Sequence, residues 1–261
     1  MDKKGFKYVA LGKRLSGVNE VLTLGVKPNF HDYTAQERDI ILNSDLVLYP
    51  TSSYAQFFCT MGKSIYPSLE TYLYSDDKIK QTTLFYLLGI RHPRTKFYYT
   101  LHFDQIKRDF QFPFVAKIPR ASAGGRGVFL IEKQDDLDQY LQKTKVAYIQ
   151  EYIPHQRDLR VILIGYKPIL AYWRIANGSF KTNLYQGATY SFESIPLNAL
   201  EYASYTAQLC KFNEVGLDLI YHQGEWHVLE ANMHYGRRAL KAKGMDLKAL
   251  ILDALKRNIV P

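Results

Sequence analysis

The chain has 261 residues, 47% of them hydrophobic and 23% charged, which is typical of a globular protein and excludes a disordered one. Lysine and arginine number 34 against 25 acidic residues, so the formal net charge is +9. Because the basic residues are scattered, this charge favours an anionic substrate over nucleic acid, and a basic surface without a specific task is the third interpretation. No apolar run approaches the roughly 18 residues of a membrane helix, and 2 cysteines are too few for a disulfide framework. We therefore expect a cytoplasmic protein without a membrane partner.

The first 75 residues predict a small α/β domain. Short apolar runs at residues 21–26 and 45–50 predict strands. The polar stretch 34–43 lies between them and predicts a helix, and this alternation is typical of an α/β unit.

A longer helix is predicted next, over residues 77–88. Apolar residues recur along it at helical spacing, which predicts that one face packs on the rest of the protein. Its expected cap is Ser75 or Asp76, and Gly89 is expected to end it because glycine readily adopts the left-handed conformation that follows a helix.

Strands dominate the remainder. Predicted strands cover residues 112–118, 127–133, 147–153, 159–165 and 167–176, and a hairpin covers 216–232. Predicted helices cover residues 135–144, 197–212 and 245–257. Strands and helices in separate blocks predict an α+β architecture with more than one sheet.

A glycine-rich turn joins the first two of these strands. Residues 122–127 read Ser-Ala-Gly-Gly-Arg-Gly, and glycine lets a backbone approach phosphate oxygens closely and adopt positive φ angles. Lys117, on the incoming strand, would add a positive charge for the same phosphates. The alternative is an ordinary turn, and the segment is not a Walker A loop because no Gly-Lys-Ser/Thr follows it.

The 216–232 hairpin carries the most specific signal. If its loop is centred on Gly224, Asp218 and Glu230 lie opposite each other and Asn232 lies on the same face. Such side chains offer the oxygen ligands that suit Mg²⁺ held partly by substrate phosphates. A tighter, two-residue turn would shift the pairing by one residue and point the two carboxylates to opposite faces. The alternative is that all three are solvated strand residues.

The segment 148–154 predicts a strand that leaves into an extended bend before Pro154. Extended backbone at a strand end can bind an adenine edge through its own N–H and C=O groups. The alternative is a plain strand exit.

The order of these segments resembles the RimK-like branch of the ATP-grasp ligases, over roughly residues 76–257. The matching segments are DDKIKQTTLFYLLGIRHPRT (76–95), PFVAK (113–117), the glycine-rich loop, IQEYI (149–153), DLRVILIG (158–165), FKTN (180–183), GLDLI (216–220) and LEAN (229–232). The resemblance implies an ATP-grasp fold of mixed α+β and α/β type, in which two α+β subdomains sandwich ATP. It implies a small α/β N-terminal domain at 1–75 and an ATP-grasp domain at 76–261, with a lid subdomain at about 95–150 and a C-terminal subdomain at about 151–261.

The resemblance also implies roles for the matching residues. The implied catalytic residues are Lys117 and Arg174, beside the transferred phosphoryl group. The implied ATP-binding residues are Lys78, Lys117, Ser122, Gly124, Gly125 and Gly127 at the phosphates; Gln150, Glu151, Tyr152 and Ile153 around adenine; Glu151 and Asp158 at the polar edge or ribose; and Lys181 and Asn183. The implied ligands of magnesium, or of manganese in its place, are Asp218, Glu230 and Asn232.

Two departures from the family bear on the substrate. After Asn232 the family continues Ser-Pro-Gly, whereas this chain reads Met-His-Tyr-Gly-Arg-Arg, and the first domain resembles the family only faintly. Arg237 and Arg238 stand where the family's chain lines the substrate pocket. A guanidinium there would pair with a carboxylate beyond the one being activated, and the alternative is that both are surface residues.

The function that the resemblance implies is an ATP- and Mg²⁺-dependent ligase. It would phosphorylate a small-molecule or peptide carboxylate to an acyl phosphate. An amine, such as that of glutamate, would then attack the acyl phosphate and displace its phosphate. Two other functions stay open, a kinase that stops at phosphate transfer and a nucleotide-binding module without turnover. A homo-oligomer is compatible with the sequence.

Overall fold

The computed structural model describes residues 6–120, 127–176 and 189–260, and the strands in these ranges form three sheets. The first is a parallel sheet with the strand order β2-β1-β3-β4. Its elements are β1 Tyr8–Ala10, β2 Val21–Thr23, α1 Ala35–Asn43, β3 Leu46–Leu48, α2 Ser52–Thr60, β4 Ile65–Tyr66 and α3 Leu69–Leu73. β1, β3 and β4 are short runs of buried residues, whereas only Val21 of β2, at the sheet edge, is buried.

The sequence predicted α1 but not α2. Thr34 caps α1, since its hydroxyl accepts from Glu37 N at 3.2 Å while the Glu37 carboxylate accepts from Thr34 N at 2.7 Å. The start of α2 is capped by Thr51, which accepts from Tyr54 N at 3.3 Å. That cap stands in a run of polar and aromatic residues whose helical spacing is weak, and α2 forms because Phe58 and its neighbours pack on the sheet.

Helix α4, Lys78–Leu87, links the first sheet to the second. Neither Ser75 nor Asp76 caps it, contrary to the sequence expectation, because the Asp77 carboxylate accepts from Lys80 N at 3.1 Å. The helix therefore begins one residue later than predicted. Asp76 has a φ of 55° and lies outside the helix.

The second sheet is antiparallel, with the strand order β5-β8-β6-β7. Its elements are β5 Thr95–Tyr99, α5 Ile106–Asp109, β6 Phe114–Lys117, β7 Val128–Ile131, α6 Gln134–Leu141 and β8 Val146–Glu151. Tyr140 of α6 fixes β6 against β8, because its hydroxyl donates to Lys117 O at 2.7 Å and accepts from Tyr148 N at 3.0 Å. These two hydrogen bonds fix the backbone of Lys117 against β8.

The third sheet is also antiparallel, with the strand order β11-β10-β9-β12-β13. Its elements are β9 Arg157–Ile164, β10 Lys167–Ile175, β11 Thr189–Ser191, α7 Leu197–Leu209, β12 Glu214–His222, β13 Glu225–Asn232, α8 Arg238–Ala242 and α9 Leu247–Lys256. One face of this sheet packs on α7, whose small residues Ala199, Ala203 and Ala207 allow close contact. The other face packs partly on the first sheet and α9.

Alternation along β9 separates these two faces. Leu159 and Val161 belong to the core under α7, whereas Ile162 and Ile164 pack towards the first sheet. Arg160 therefore lies on the second face, next to its apolar part. None of the helices in the part of the chain that the structure describes has the length and apolarity needed to cross a membrane.

Candidate active site

The β12–β13 hairpin places two carboxylates on one face of the third sheet. Asp218 is the direct cross-strand partner of Glu230, and Gly216 is the partner of Asn232. Because direct partners in an antiparallel pair share a face, Asp218, Glu230 and Asn232 lie on the same side of the hairpin. Leu217 and Ala231, their alternate neighbours, belong to the core on the opposite side.

The route to this pairing differs from the sequence expectation. The hairpin closes with a tight turn, since His222 pairs with Glu225 and the two residues between them have φ angles of 50° and 85°. That turn alone would have pointed Asp218 and Glu230 to opposite faces. A β-bulge between Asp218 and Leu219 restores the pairing, because Leu219 pairs with Val228 and leaves one extra residue on β13.

Two arginines hold Asp218. Arg160 binds it in a two-point ion pair through Nε and through Nη2, the latter 2.7 Å from Oδ2, and Arg174 Nη2 lies 2.9 Å from the same Oδ2. All three side chains are buried. Burial opposes the ionisation of Asp218, but the two guanidinium groups outweigh it and hold the pKa of this carboxyl below its usual value.

Arg174 also binds a second carboxylate. Its Nε and Nη2 lie 2.6 and 2.8 Å from the two carboxylate oxygens of Asp158, its cross-strand partner on β9. Burial lowers the pKa of Arg174, whereas Asp158 and Asp218 raise it, and the balance lies above the ordinary value. Arg174 is therefore a fixed positive charge, and both oxygens of Asp158 face this arginine.

Helix α4 brings Lys78 to the same face. Gln81 donates to Ala231 O at 2.8 Å and accepts from Ala231 N at 3.0 Å, which fixes α4 beside β13. Lys78 N also donates to Pro119 O at 3.0 Å, so the start of the helix is tied to the segment after β6. Lys78 Nζ consequently lies 3.1 Å from Glu230 Oε1.

Lys117 reaches the site from the second sheet. It is buried, and its Nζ lies 5.5 Å from the centre of the Tyr148 ring. Burial lowers the pKa of Lys117 to about 8, with Glu230 opposing this shift, Lys78 adding to it and Asp218 opposing it. Glu230, Asp218 and Lys78 are thus the charged groups that act on Lys117.

Two of the residues expected around adenine are tied to the start of β5, at Arg94 and Thr95. Gln150 Nε2 donates to Thr95 Oγ1 at 2.9 Å. Glu151 N donates to Arg94 O at 2.9 Å, and its carboxylate accepts from Arg94 N at 2.6 Å. The side chains of Gln150 and Glu151 therefore brace the strand end, and the backbone that follows, at Tyr152 and Ile153, is left as the candidate adenine contact.

Of the other residues proposed from the sequence, some lie in the described ranges and some lie outside them. Arg237 and Arg238 are exposed at the start of α8, just after the buried Tyr235. Gly127 accepts a hydrogen bond from Ile118 N at 2.7 Å, which closes the base of the glycine-rich loop. The expected contacts that lie outside the described residues are Ser122, Gly124, Gly125, Lys181 and Asn183.

Sequence reasoning did not single out Arg160. The signal was present, because Asp158 and Arg160 are two residues apart on a strand whose intervening residue, Leu159, is apolar and buried. Charged residues at that spacing share a face. What they face depended on the register of β9 with β10 and β12, which places Arg174 opposite Asp158 and Asp218 opposite Arg160.

The set as a whole suits a magnesium nucleotide. Within the described ranges, no group of three or more His, Cys, Asp and Glu side chains could hold a metal. Asp218, Glu230 and Asn232 instead supply two carboxylates and one amide, which are hard oxygen ligands that fit Mg²⁺ completed by phosphate oxygens. The neighbouring cations Lys78, Lys117, Arg160 and Arg174 fit those phosphates.

Comparisons with known proteins find a family and several relatives of this chain. The profile of the RimK-like ATP-grasp domain matches residues 75–255. The coenzyme gamma-F420-2:alpha-L-glutamate ligase of Methanococcus maripaludis is 25% identical over 201 residues, which cover 72% of this chain and 68% of that protein. A probable alpha-L-glutamate ligase of Methanococcoides burtonii is 28% identical over 253 residues, covering 89% of this chain and 81% of the relative.

Solved structures show the same fold. An ATP-grasp RimK domain protein from Sphaerobacter thermophilus superposes with a TM-score of 0.64 at 16% identity, covering 81% of both chains. The ATP complex of D-alanine–D-alanine ligase from Bacillus anthracis gives a TM-score of 0.66 at 15% identity, covering 92% of this chain and 84% of that one. The predicted ATP-grasp fold of mixed α+β type is confirmed.

Proposed function

The chain belongs to the RimK-like ATP-grasp family, and we propose that it is an ATP- and Mg²⁺-dependent ligase that joins a carboxylate to an amine through an acyl phosphate. We propose L-glutamate as the amine that it adds. Relatives that match most of the chain carry the name alpha-L-glutamate ligase, which supports the amino acid. The formal charge of +9 supports anionic substrates in general.

One observation carries the proposal. Asp218 and Glu230 are cross-strand partners on one face, Lys78 of a helix pairs with Glu230, and the charges of both carboxylates act on Lys117 of another sheet. Hard anionic ligands surrounded by cations form a site for a polyanion with its metal.

The residues fit a bound Mg²⁺, which would supply positive charge between the phosphates. Asp218, Glu230 and Asn232 would hold it. Lys78 and Lys117 would bind phosphate oxygens and offset the negative charge of the phosphates that the carboxylate substrate has to approach. Arg174 would stabilise the phosphoryl group as it moves, because its charge is fixed by Asp158 and does not depend on pH in the physiological range.

The reaction that these residues support has two steps. An oxygen of the substrate carboxylate attacks the γ-phosphorus of ATP, and the bond to the β-phosphate oxygen breaks to release ADP. The amine nitrogen then attacks the acyl carbon, the bond from carbon to the phosphate-bearing oxygen breaks, and phosphate leaves while the nitrogen loses a proton to solvent. Cationic side chains at the phosphates contribute to both steps, because each moves negative charge towards them.

The domain roles follow from the same proposal. Residues 95–150 would be the lid that covers the phosphates, 151–261 the subdomain that carries the metal ligands, and 1–75 the domain that helps to form the acceptor pocket. Asp158 would act through Arg174, and the backbone near Tyr152 and Ile153 would bind adenine. The remaining nucleotide contacts expected from the family are proposed for Ser122, Gly124, Gly125, Gly127, Lys181 and Asn183.

The residues that bind the second substrate are proposed from their positive charge. Arg237 and Arg238 are exposed beyond Asn232, where they would pair with a carboxylate that the reaction leaves untouched. A cytoplasmic location is part of the proposal, because ATP and amino acids are available there.

The test is ADP release with a panel of carboxylates and amines, followed by mass spectrometry of the product. We expect ADP release to require both substrates, with glutamate the preferred amine, and the product mass to equal acid plus amine minus water. An isotopically labelled carboxylate oxygen should appear in the released phosphate, since that oxygen bridges carbon and phosphorus in the acyl phosphate. A phosphorylated product formed without any amine would show a kinase instead, and nucleotide binding without ADP release would show a module without turnover.

A further inference from the structure

The oxygens of Asp218, a proposed metal ligand, are already occupied by side chains of the protein. Arg160 contacts both of them, and Arg174 contacts Oδ2 at 2.9 Å. The second proposed carboxylate ligand, Glu230, has Lys78 Nζ at 3.1 Å. A cation that binds these carboxylates therefore competes with positively charged partners.

The position of Arg160 is built into the sheet. A Cβ atom on Gly216 would lie 3.2 Å from Arg160 Cδ and 2.8 Å from Tyr235 Cβ. Gly216 is on the same face as Asp218, two residues before it on β12, so the missing side chain leaves the space through which the arginine stem reaches the carboxylate. The ion pair with Asp218 is thus a packed arrangement, since Arg160 is itself 5% exposed.

The charge balance of the cleft works against a metal ion on its own. Among the residues that the structure describes, four cationic side chains, Lys78, Lys117, Arg160 and Arg174, stand with three carboxylates, Asp158, Asp218 and Glu230. This excess of positive charge in a buried site repels an added dication, whereas it attracts the negative charge of a nucleoside triphosphate. Displaced guanidinium groups also need a new partner, because an unpaired charge is costly to leave buried.

We propose that Arg160 and Arg174 occupy Asp218 until the nucleotide arrives, so that the metal binds only together with the nucleotide. This inference rests on the proposed function, because it assumes that Asp218 is a metal ligand. The nucleotide phosphates give the two guanidinium groups oxygens to bind in place of Asp218, and planar guanidinium groups bind phosphate in the same two-point manner as carboxylate. Asp218 is then released to the cation. Arg160 thereby becomes a positioning residue of the site, which links metal entry to nucleotide entry.

The arrangement has a consequence for the order of binding. The empty site keeps its carboxylates paired and does not collect free divalent cations from solution. Since the arginines move to the phosphates in the same step, the site acquires its metal and its phosphate-binding charges together.

Mn²⁺ binding, followed by the loss of the free-ion signal in electron paramagnetic resonance, tests the inference on the full chain. We expect Mn²⁺ to bind at least tenfold more tightly with the non-hydrolysable analogue AMP-PNP than without it, after subtraction of the binding of Mn²⁺ to AMP-PNP alone. In Arg160→Gln, nucleotide-free binding should tighten tenfold or more, because one cation no longer competes for Asp218. The gain should disappear in the double variant Arg160→Gln with Asp218→Asn, which places it at this carboxylate.

Arg157→Gln is the matched control, because Arg157 stands on the same strand and carries the same charge but contacts the Trp173 ring at 4.1 Å. It should leave nucleotide-free Mn²⁺ binding unchanged. Equal Mn²⁺ affinity of the parent protein with and without AMP-PNP would overturn the inference without any variant, and so would an Arg160→Gln protein that is folded and binds like the parent. Failure of Mn²⁺ to bind even with AMP-PNP would overturn the metal site of the proposed function, and this inference with it.

Discussion

The partly buried Arg14 forms an ion pair with the buried Glu214 although 200 residues separate them in the chain. Glu214 also accepts hydrogen bonds from the hydroxyls of Tyr49, at 2.6 Å, and Tyr235, at 2.9 Å. Arg14 stacks on both rings, with 5.1 and 5.7 Å between its guanidinium carbon and the ring centres. Arg14 and Tyr49 follow strands of the first sheet and Glu214 begins β12, so this cluster joins the parallel sheet to the sheet that carries Asp218.

Removing Glu214 should therefore cost much of the stability of the protein. Glu214→Ala leaves the partly buried Arg14 charge and the hydroxyls of Tyr49 and Tyr235 without their partner, and we expect the free energy of unfolding to fall by about 3–5 kcal/mol. Urea denaturation of the variant and parent measures the difference. Glu201→Gln, at an exposed position on α7, is the control and should change stability by less than about 0.5 kcal/mol. A loss below about 1 kcal/mol for Glu214→Ala would mean that the cluster does not join the two sheets.

Glu230→Gln should abolish ATP turnover without unfolding the protein. The change removes one anionic oxygen ligand and leaves the phosphoryl charge less compensated, so we expect a loss of at least about a hundredfold in ADP release. Circular dichroism and thermal melting monitor the fold. Glu225→Gln, on the same strand but exposed and 3.4 Å from Arg91, should keep normal turnover. ADP release near the parent rate in Glu230→Gln would contradict the proposed mechanism.

Lys117 should make nucleotide binding depend on pH. Burial lowers the pKa of Lys117 to about 8, against the oppositely directed effects of Glu230 and Asp218 and together with that of Lys78. Above this pH the amine of Lys117 is neutral in the free protein, whereas bound phosphates favour its charged form. Binding of AMP-PNP just above pH 8 should therefore take up protons, and it should weaken as the pH rises. Titration calorimetry in two buffers of different ionisation enthalpy measures this uptake. It should vanish in Lys117→Met and persist in Lys107→Met, which changes an exposed lysine on α5; uptake that persists in Lys117→Met would assign the proton to another group.

The lowered pKa of Lys117 also makes the stability of the folded protein depend on pH. The dependence has the opposite sign to that of a lysine whose pKa is raised by a favourable ion pair. The pKa of Lys117 is lower in the folded protein than its ordinary value of 10.5, so between pH 8 and that value the unfolded chain binds more protons. Stability from this group therefore rises with pH across the window, and Lys117→Met should flatten that part of the stability profile.

Gly216→Ala should destabilise the protein and disturb Arg160. The added Cβ would lie 2.8 Å from Tyr235 Cβ, so something must shift, and we expect a loss of about 1–3 kcal/mol in the free energy of unfolding. Gly236→Ala is a matched control, since a Cβ there meets no atom within 4 Å. Equal stability of the two variants would show that the sheet has room at Gly216 and that Arg160 is not confined by it.

Arg237→Ala or Arg238→Ala should raise KM for an acidic substrate by tenfold or more at saturating ATP, the ~1.4 kcal/mol expected of a charged contact. Steady-state kinetics with glutamate and with an uncharged amino acid separates this effect from a general loss. Arg257→Ala, on the surface of α9, should leave KM unchanged. If neither pocket variant moves KM, the two arginines are surface residues.

Local patterns in the sequence predicted most of the elements and the residues that form the site. The helical spacing over 77–88, the apolar runs at 159–165 and 167–176 and the composition of the glycine-rich turn depend on neighbours only a few residues away, and this is why they can be recognised without the fold. The proposed metal ligands Asp218, Glu230 and Asn232 and the lysine at 117 were singled out in the same way, with the family resemblance adding their roles. Those roles, and the domain boundaries, stay predictions.

Only the tertiary structure decided how these residues meet. The sequence indicated that a tight turn would separate Asp218 from Glu230, and the bulge after Asp218 reversed that outcome. One extra residue in a strand changes which side chains share a face, and no local pattern marks where it is placed. The arginines on Asp218 and the pairing of Arg14 with Glu214 depend on strand register and on contacts between distant segments, so they exist only once the sheets have assembled.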